Sequence, residues 1–157
     1  MIQTVMDSPL GVLTLAGPDP ETLARLHFGE AALGEPQPQA FAAVRAQLAE
    51  YFAGTRRGFT VALALTGSDW ERRVWSQLTQ IPYGETRTYA QIAAAACERT
   101  GARAARAVGR ANHHNPVAII VPCHRVIGAD GSLTGFAGGL EAKRRLLDLE
   151  AGRLALI

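Results

Sequence analysis

Hydrophobic and polar positions divide the chain at a breaker, Thr66-Gly67-Ser68-Asp69, and read differently on its two sides. Before it, Leu10, Val12 and Leu13 to Leu15 follow Ser8-Pro9 and stop at Gly17-Pro18-Asp19-Pro20, the pattern of strands joined by turns. Leu23, Leu26 and Phe28 fit either a further strand or a short helix, and Gly34 to Gln39 reads as a loop. Phe41, Val44, Leu48 and Phe52 recur at three- and four-residue spacing and predict an amphipathic helix ended by Gly54. Phe59 to Leu65 alternates and predicts a strand.

After the breaker, Trp70, Val74, Trp75, Leu78 and Ile81 predict a helix closed by Pro82-Tyr83-Gly84. Thr86 or Thr88 stands where a cap belongs for the next helix, Tyr89 to about Cys97, with Ile92 inward. A turn around Thr100-Gly101 leads into a third helix, Ala102 to Asn112, and the pair has the form of a helix-turn-helix. Asn115-Pro116 opens a loop, Val117 to Val121 predicts a short buried strand, and Gly128 to Gly139 is a glycine-rich loop. A last helix, Gly139 to Glu150, ends at Gly152. The expected architecture is an α/β N-terminal domain, residues 1–67, followed by a mostly α C-terminal domain, residues 68–157.

Composition narrows the function classes. With 157 residues, 48% hydrophobic and 19% charged, the chain can bury a core and is neither disordered nor collagen-like. It holds no apolar run long enough to cross a membrane, and Met1 to Val5 lacks the features of a signal peptide, so the cytoplasm is the expected location. Two cysteines, Cys97 and Cys123, are too few for a disulfide-stapled fold. The net charge of +2 hides an asymmetry: residues 72–125 carry 8 arginines against only Glu85 and Glu98. Such a stretch fits a polyanionic partner or a plain solvated face.

Chemistry concentrates at Ile119-Ile120-Val121-Pro122-Cys123-His124-Arg125-Val126-Ile127. A buried strand is expected to deliver Cys123 into a loop beside a candidate base, His124, and a candidate positive charge, Arg125. A thiol becomes a nucleophile when a base or a cation favours the thiolate. Residues adjacent on a strand face opposite ways, so His124 can serve Cys123 only if the chain turns, which Pro122 favours. The alternative from the residues alone is a buried structural cysteine beside a surface histidine. Glu150, three and four residues after Leu147 and Leu146, shares their apolar face and therefore needs a polar partner.

This segment resembles the active-site motif of the O6-alkylguanine-DNA alkyltransferases, the methylated-DNA–protein-cysteine methyltransferases. The resemblance extends through Ile81-Pro82-Tyr83-Gly84-Glu85-Thr86, Thr88 to Ala93, Ala104 to Gly109, Asn115-Pro116 and Gly135 to Leu140, over about Trp70 to Gly152. Before that it is confined to Ser8-Pro9-Leu10-Gly11. It implies a ribonuclease H-like N-terminal domain and a winged-helix-like C-terminal one. It also implies irreversible, stoichiometric transfer of an alkyl group from O6 of guanine in duplex DNA to Cys123, once the damaged nucleotide is extruded into a pocket.

By the same resemblance His124, polarised by Glu150, activates Cys123 through water, Tyr89 contacts the flipped base near N3, and Asn115 braces the active-site turn. Arg106 is the finger that fills the space left by the base. Ala104, Ala105, Ala107 and Gly109 let the third helix approach the minor groove, and Arg110 and Arg125 join Tyr89 and Arg106 on DNA. Val126, Phe136, Ala137 and Gly138 line the substrate pocket, with backbone at Cys123, Val126 and Ala137 reading the base edge. No cofactor or metal is implied, and a monomer acting on double-stranded DNA is expected. Phe136 replaces an expected tyrosine, Ala137 a serine found in some members, and the stretch from Tyr89 to Arg106 is longer than expected around Cys97-Glu98-Arg99.

Three rivals remain. A damage sensor without transfer carries another residue in place of the cysteine, whereas Cys123 is present. A cysteine hydrolase needs an oxyanion hole that cannot be read here. A zinc module needs paired ligand spacing, which Cys97, Cys123, His113, His114 and His124 lack.

Overall fold

A computed structural model describes residues 1–97 and 101–153. Five strands lead: β1 (Ile2–Met6), β2 (Leu13–Gly17), β3 (Thr22–Leu23), β4 (Arg25–Phe28) and β5 (Glu35–Pro36). β4, β2, β1 and β5 form one sheet in that order, antiparallel except for the β1–β5 pair. β2 is buried along its whole length, as an internal strand covered on both faces must be. Leu23, Leu26 and Phe28 are thus strand residues. The predicted helix is α1 (Ala42–Phe52), whose Val44, Leu48, Tyr51 and Phe52 point inward. Of the expected strand Phe59–Leu65 only β6 (Ala62–Leu63) pairs, in parallel with β3.

α2 (Asp69–Leu78) begins on a capping box: Ser68 Oγ accepts from Glu71 N, and Glu71 Oε1 from Ser68 N. Its two indoles bolt it to α4 (Ala102–His113), Trp70 Nε1 donating to Ala107 O and Trp75 Nε1 to Ala111 O. Between them lie β7 (Arg87–Thr88) and α3 (Tyr89–Cys97). Thr88 is the cap, exchanging bonds with Gln91 in both directions. Gly101 enters α4 at φ 99°, a conformation in which glycine is free of the strain a side chain brings. The length difference expected around Cys97-Glu98-Arg99 falls from residue 98 onward outside the described residues. α2, α3 and α4 pack on one another, and the buried side chains of both halves form one continuous cluster.

The segment Val117–Val121 is not the expected strand. Ile119 sits at φ 75°, and Val121 N donates back to Val117 O, so the chain turns instead of running extended. β-branched, apolar composition predicts a strand, but the left-handed conformation forced on Ile119 is set by its surroundings and leaves no local mark. A 3-10 turn, Cys123–Arg125, follows Pro122, and then β8 (Val126–Ile127) pairs in parallel with β7. α5 (Leu140–Glu150) packs against that turn. No helix among the described residues is long and apolar enough to cross a membrane.

Candidate active site

Cys123 is delivered by a turn, which lets the side chains of Cys123, His124 and Arg125 share one buried region. Two asparagines brace it. Asn115 Nδ2 donates to Val121 O at 2.8 Å while its Oδ1 accepts from Val117 N at 3.0 Å. Asn112, on the inner face of α4, donates to Cys123 O at 3.2 Å.

Around the turn the buried polar groups satisfy one another almost completely. His124 Nε2 lies 2.8 Å from Glu150 Oε2. Arg125 grips the same carboxylate with two nitrogens, Nε to Oε1 at 2.8 Å and Nη2 to Oε2 at 2.9 Å, and gives Nη1 to Ile81 O at 2.7 Å. Tyr51, at the end of α1, donates its hydroxyl to Glu150 Oε2 at 2.5 Å from 99 residues away. Burial alone would raise the Glu150 carboxyl, but the hydrogen bonds from His124 and Arg125 and the charge of Arg125 outweigh it and hold it well below the usual carboxylate range. Burial lowers the His124 pKa despite Glu150, so the ring is neutral and Nε2 donates to the carboxylate. Nδ1 is then a buried acceptor with no partner among the described residues.

Burial also governs the thiol. Cys123 is pushed up to about 11, opposed by the Asn115 side chain and by the charge of Lys143. Lys143 is itself fully buried on α5, its ammonium bonded to Val126 O at 2.7 Å and Thr134 O at 2.8 Å. A thiol held protonated in the resting protein is slow until a base takes its proton. Tyr89 opens α3 beside the β7–β8 pair, its hydroxyl 2.7 Å from Thr134 Oγ1. Phe136 is half-buried, whereas Ala137 is exposed and lines a cleft of about 510 Å³ with Phe28 and Asn115.

On α4, Arg106 and Arg110 are exposed, Ala105 is half-buried, and neither arginine has a side-chain partner among the described residues. Arg125 departs from expectation: it is 6% exposed with its guanidinium consumed by Glu150 and Ile81, so it cannot reach a DNA phosphate.

The chain resembles known proteins along its whole length. The family pattern described as "6-O-methylguanine DNA methyltransferase, DNA binding domain" matches residues 69–152, and its "ribonuclease-like domain" matches residues 1–65. The chain belongs to this methyltransferase family. A methylated-DNA–protein-cysteine methyltransferase of Mycolicibacterium paratuberculosis is 54% identical over 153 residues, 92% of this chain and 89% of its own length. One of Methanosarcina acetivorans is 46% identical over 96% of this chain and 98% of its own. The crystal structure of Mycobacterium tuberculosis OGT in complex with DNA superposes with a TM-score of 0.90 at 50% identity, covering 98% of this chain and 94% of that one. The fold is therefore the family's two-domain one, ribonuclease-like and then DNA-binding.

Sequence reasoning missed Tyr51, Asn112 and Lys143. Asn112 was detectable as a polar residue four after Val108 on an apolar helix face, and Lys143 as the one lysine, three before Leu146. Tyr51 looked like any aromatic of an amphipathic helix.

Proposed function

We propose that this chain repairs DNA by moving an alkyl group from O6 of guanine onto Cys123, once per molecule. The observation that carries the reading is the buried Cys123-His124 turn locked to Glu150 in a chain of the methyltransferase family. His124 Nδ1 is the acceptor for the thiol proton, passed through water, while Glu150 stabilises the imidazolium that results. The thiolate sulfur then attacks the alkyl carbon, the carbon–O6 bond breaks, and the electron pair leaves with guanine. Tyr89 stands to donate a hydrogen bond at N3 and so improve guanine as a leaving group. A thioether has no route back to a thiol here, so the protein is consumed.

Binding follows from the same reading. α3 and α4 act as a helix-turn-helix in the winged-helix manner. α4 enters the minor groove, where Ala105 permits close approach, Arg106 occupies the place of the extruded base, and Arg110 meets phosphate. Val126, Phe136, Ala137 and Gly138 form the pocket around the flipped base. Residues 1–67 support, and residues 68–157 bind and react, as a monomer without cofactor.

The test is an intact-mass spectrum after incubation with a duplex carrying one O6-methylguanine, followed by peptide mapping. One methyl group on the peptide containing Cys123, saturating at equal molarity and absent in Cys123→Ala, is the expected result. Tight binding without modification would instead make the protein a damage sensor.

A further inference from the structure

The loop Gly135–Gly139 is thinly held. Gly135, Ala137 and Gly139 are exposed, and its internal tie is one bond, Gly139 N to Phe136 O at 2.9 Å. What backs it comes from the other half of the chain. Phe28, the last residue of β4, meets Phe136 edge to face with ring centroids 5.5 Å apart. Its ring also lies so close to Gly138 that a Cβ there would stand 2.9–3.0 Å from three ring carbons, closer than atoms tolerate.

The backbone that carries Phe28 is pinned. It pairs with Leu13, and the next residue, Gly29, donates to Val12 O and accepts from Thr14 Oγ1, each at 2.7 Å. Two residues earlier Leu26 N donates to Pro116 O at 2.8 Å, beside the Asn115 that braces the cysteine turn. One strand thus touches both the Asn115-Pro116 segment that leads to the Cys123 turn and the Gly135–Gly139 loop, and Phe28, Asn115 and Ala137 border the same cleft.

We infer that Phe28 is a specificity-determining residue: the N-terminal strand β4, through the Phe28–Gly138 and Phe28–Phe136 contacts, fixes where the pocket wall stands and so the size of O6 substituent accepted. This rests on the reading of Gly135–Gly139 as the pocket wall. A wall displaced by a fraction of a side chain discriminates strongly, since one methylene in an apolar pocket changes relative rates by about 10- to 200-fold.

The experiment measures single-turnover rates on two duplexes of the same sequence, one with O6-methylguanine and one with O6-benzylguanine. The variants are Phe28→Leu, Phe28→Ala, Gly138→Ala and Phe136→Ala, with thermal melting as the check on folding. Removing bulk at 28 lets the loop relax toward β4 and raises the benzyl-to-methyl ratio by about tenfold, within the range one methylene commands. Gly138→Ala pushes the wall off Phe28 and lowers it. If Phe28→Ala does not fold, Phe28→Leu and Gly138→Ala carry the test in opposite directions. A ratio unmoved by the Phe28 and Gly138 variants but moved by Phe136→Ala overturns the role of Phe28 while keeping the wall. A ratio unmoved by all of them overturns the wall and the inference together.

Discussion

Two sets of arginines in this molecule are identical in kind and opposite in circumstance. Arg125 is buried, gripped by Glu150 and Ile81, and flanked by the Tyr83 ring at 5.7 Å. Arg106 and Arg110 project from α4 into solvent without a side-chain partner among the described residues. Charge counting puts them in one basic stretch, but only the exposed pair is available to a polyanion. The buried one completes a closed network whose task is to fix a carboxylate. Here burial, more than charge, tells structure from binding.

The largest expected effect breaks the closed side. Glu150→Ala leaves Arg125 buried without its anion and takes an acceptor from Tyr51 and His124, so unfolding free energy falls by about 3–5 kcal/mol. Urea titration reads this, and a loss below about 1 kcal/mol would remove the network from any account of the fold. The same groups set an acid limit. His124 is held below its ordinary value by burial, so the unfolded chain takes up a proton first and stability falls as pH drops through about 6.5. Glu150, held low, contributes stability that is whole above the ordinary carboxylate value, about 4.3, and is lost below it. The urea midpoint should therefore decline from pH 7 to 5 and more steeply beneath; a flat profile from pH 7 to 5 contradicts the His124 assignment, and one still flat down to about pH 3 contradicts both.

A smaller effect sharpens the comparison from the nucleophile's side. Lys143 is a cation as deeply buried as Arg125, but no carboxylate among the described residues neutralises it, and its field favours the Cys123 thiolate. Lys143→Met removes that help from a thiol already pushed up to about 11. The pH profile of Cys123 alkylation by iodoacetamide should move upward, and the rate at pH 8 should fall about tenfold for every pH unit the profile moves. Lost bonds to Val126 O and Thr134 O would lower stability at every pH, whereas only the lost charge moves the profile.

What could be read in advance follows the same division. Local rules reached α1, α2, α3 with a threonine cap, and the inward Glu150, because periodicity and capping are written within a few residues. They failed where the decisive contact is distant. Ile119 turns left-handed inside an apolar run that reads as a strand, and Tyr51 finds Glu150 across the whole fold. Arg125 carries no local sign that it faces inward. The Cys123-His124-Arg125 triplet and its family resemblance marked the place, but not that all three side chains would be buried.

The smallest effect on the folded protein belongs to the exposed side, and there the two sides separate most cleanly. Arg106 has no partner among the described residues to lose, so Arg106→Ala should leave stability within about 0.5 kcal/mol. It should also leave the reaction with free O6-benzylguanine unchanged, because that substrate needs no extrusion from a stack. Repair of a duplex O6-methylguanine should slow by about tenfold, the cost of leaving unfilled the space of a flipped base, itself a few kcal/mol to extrude. Single-turnover rates on the two substrates make the comparison. Equal losses on both would return Arg106 to the structural class of Arg125, and no loss on either would leave it a solvated arginine.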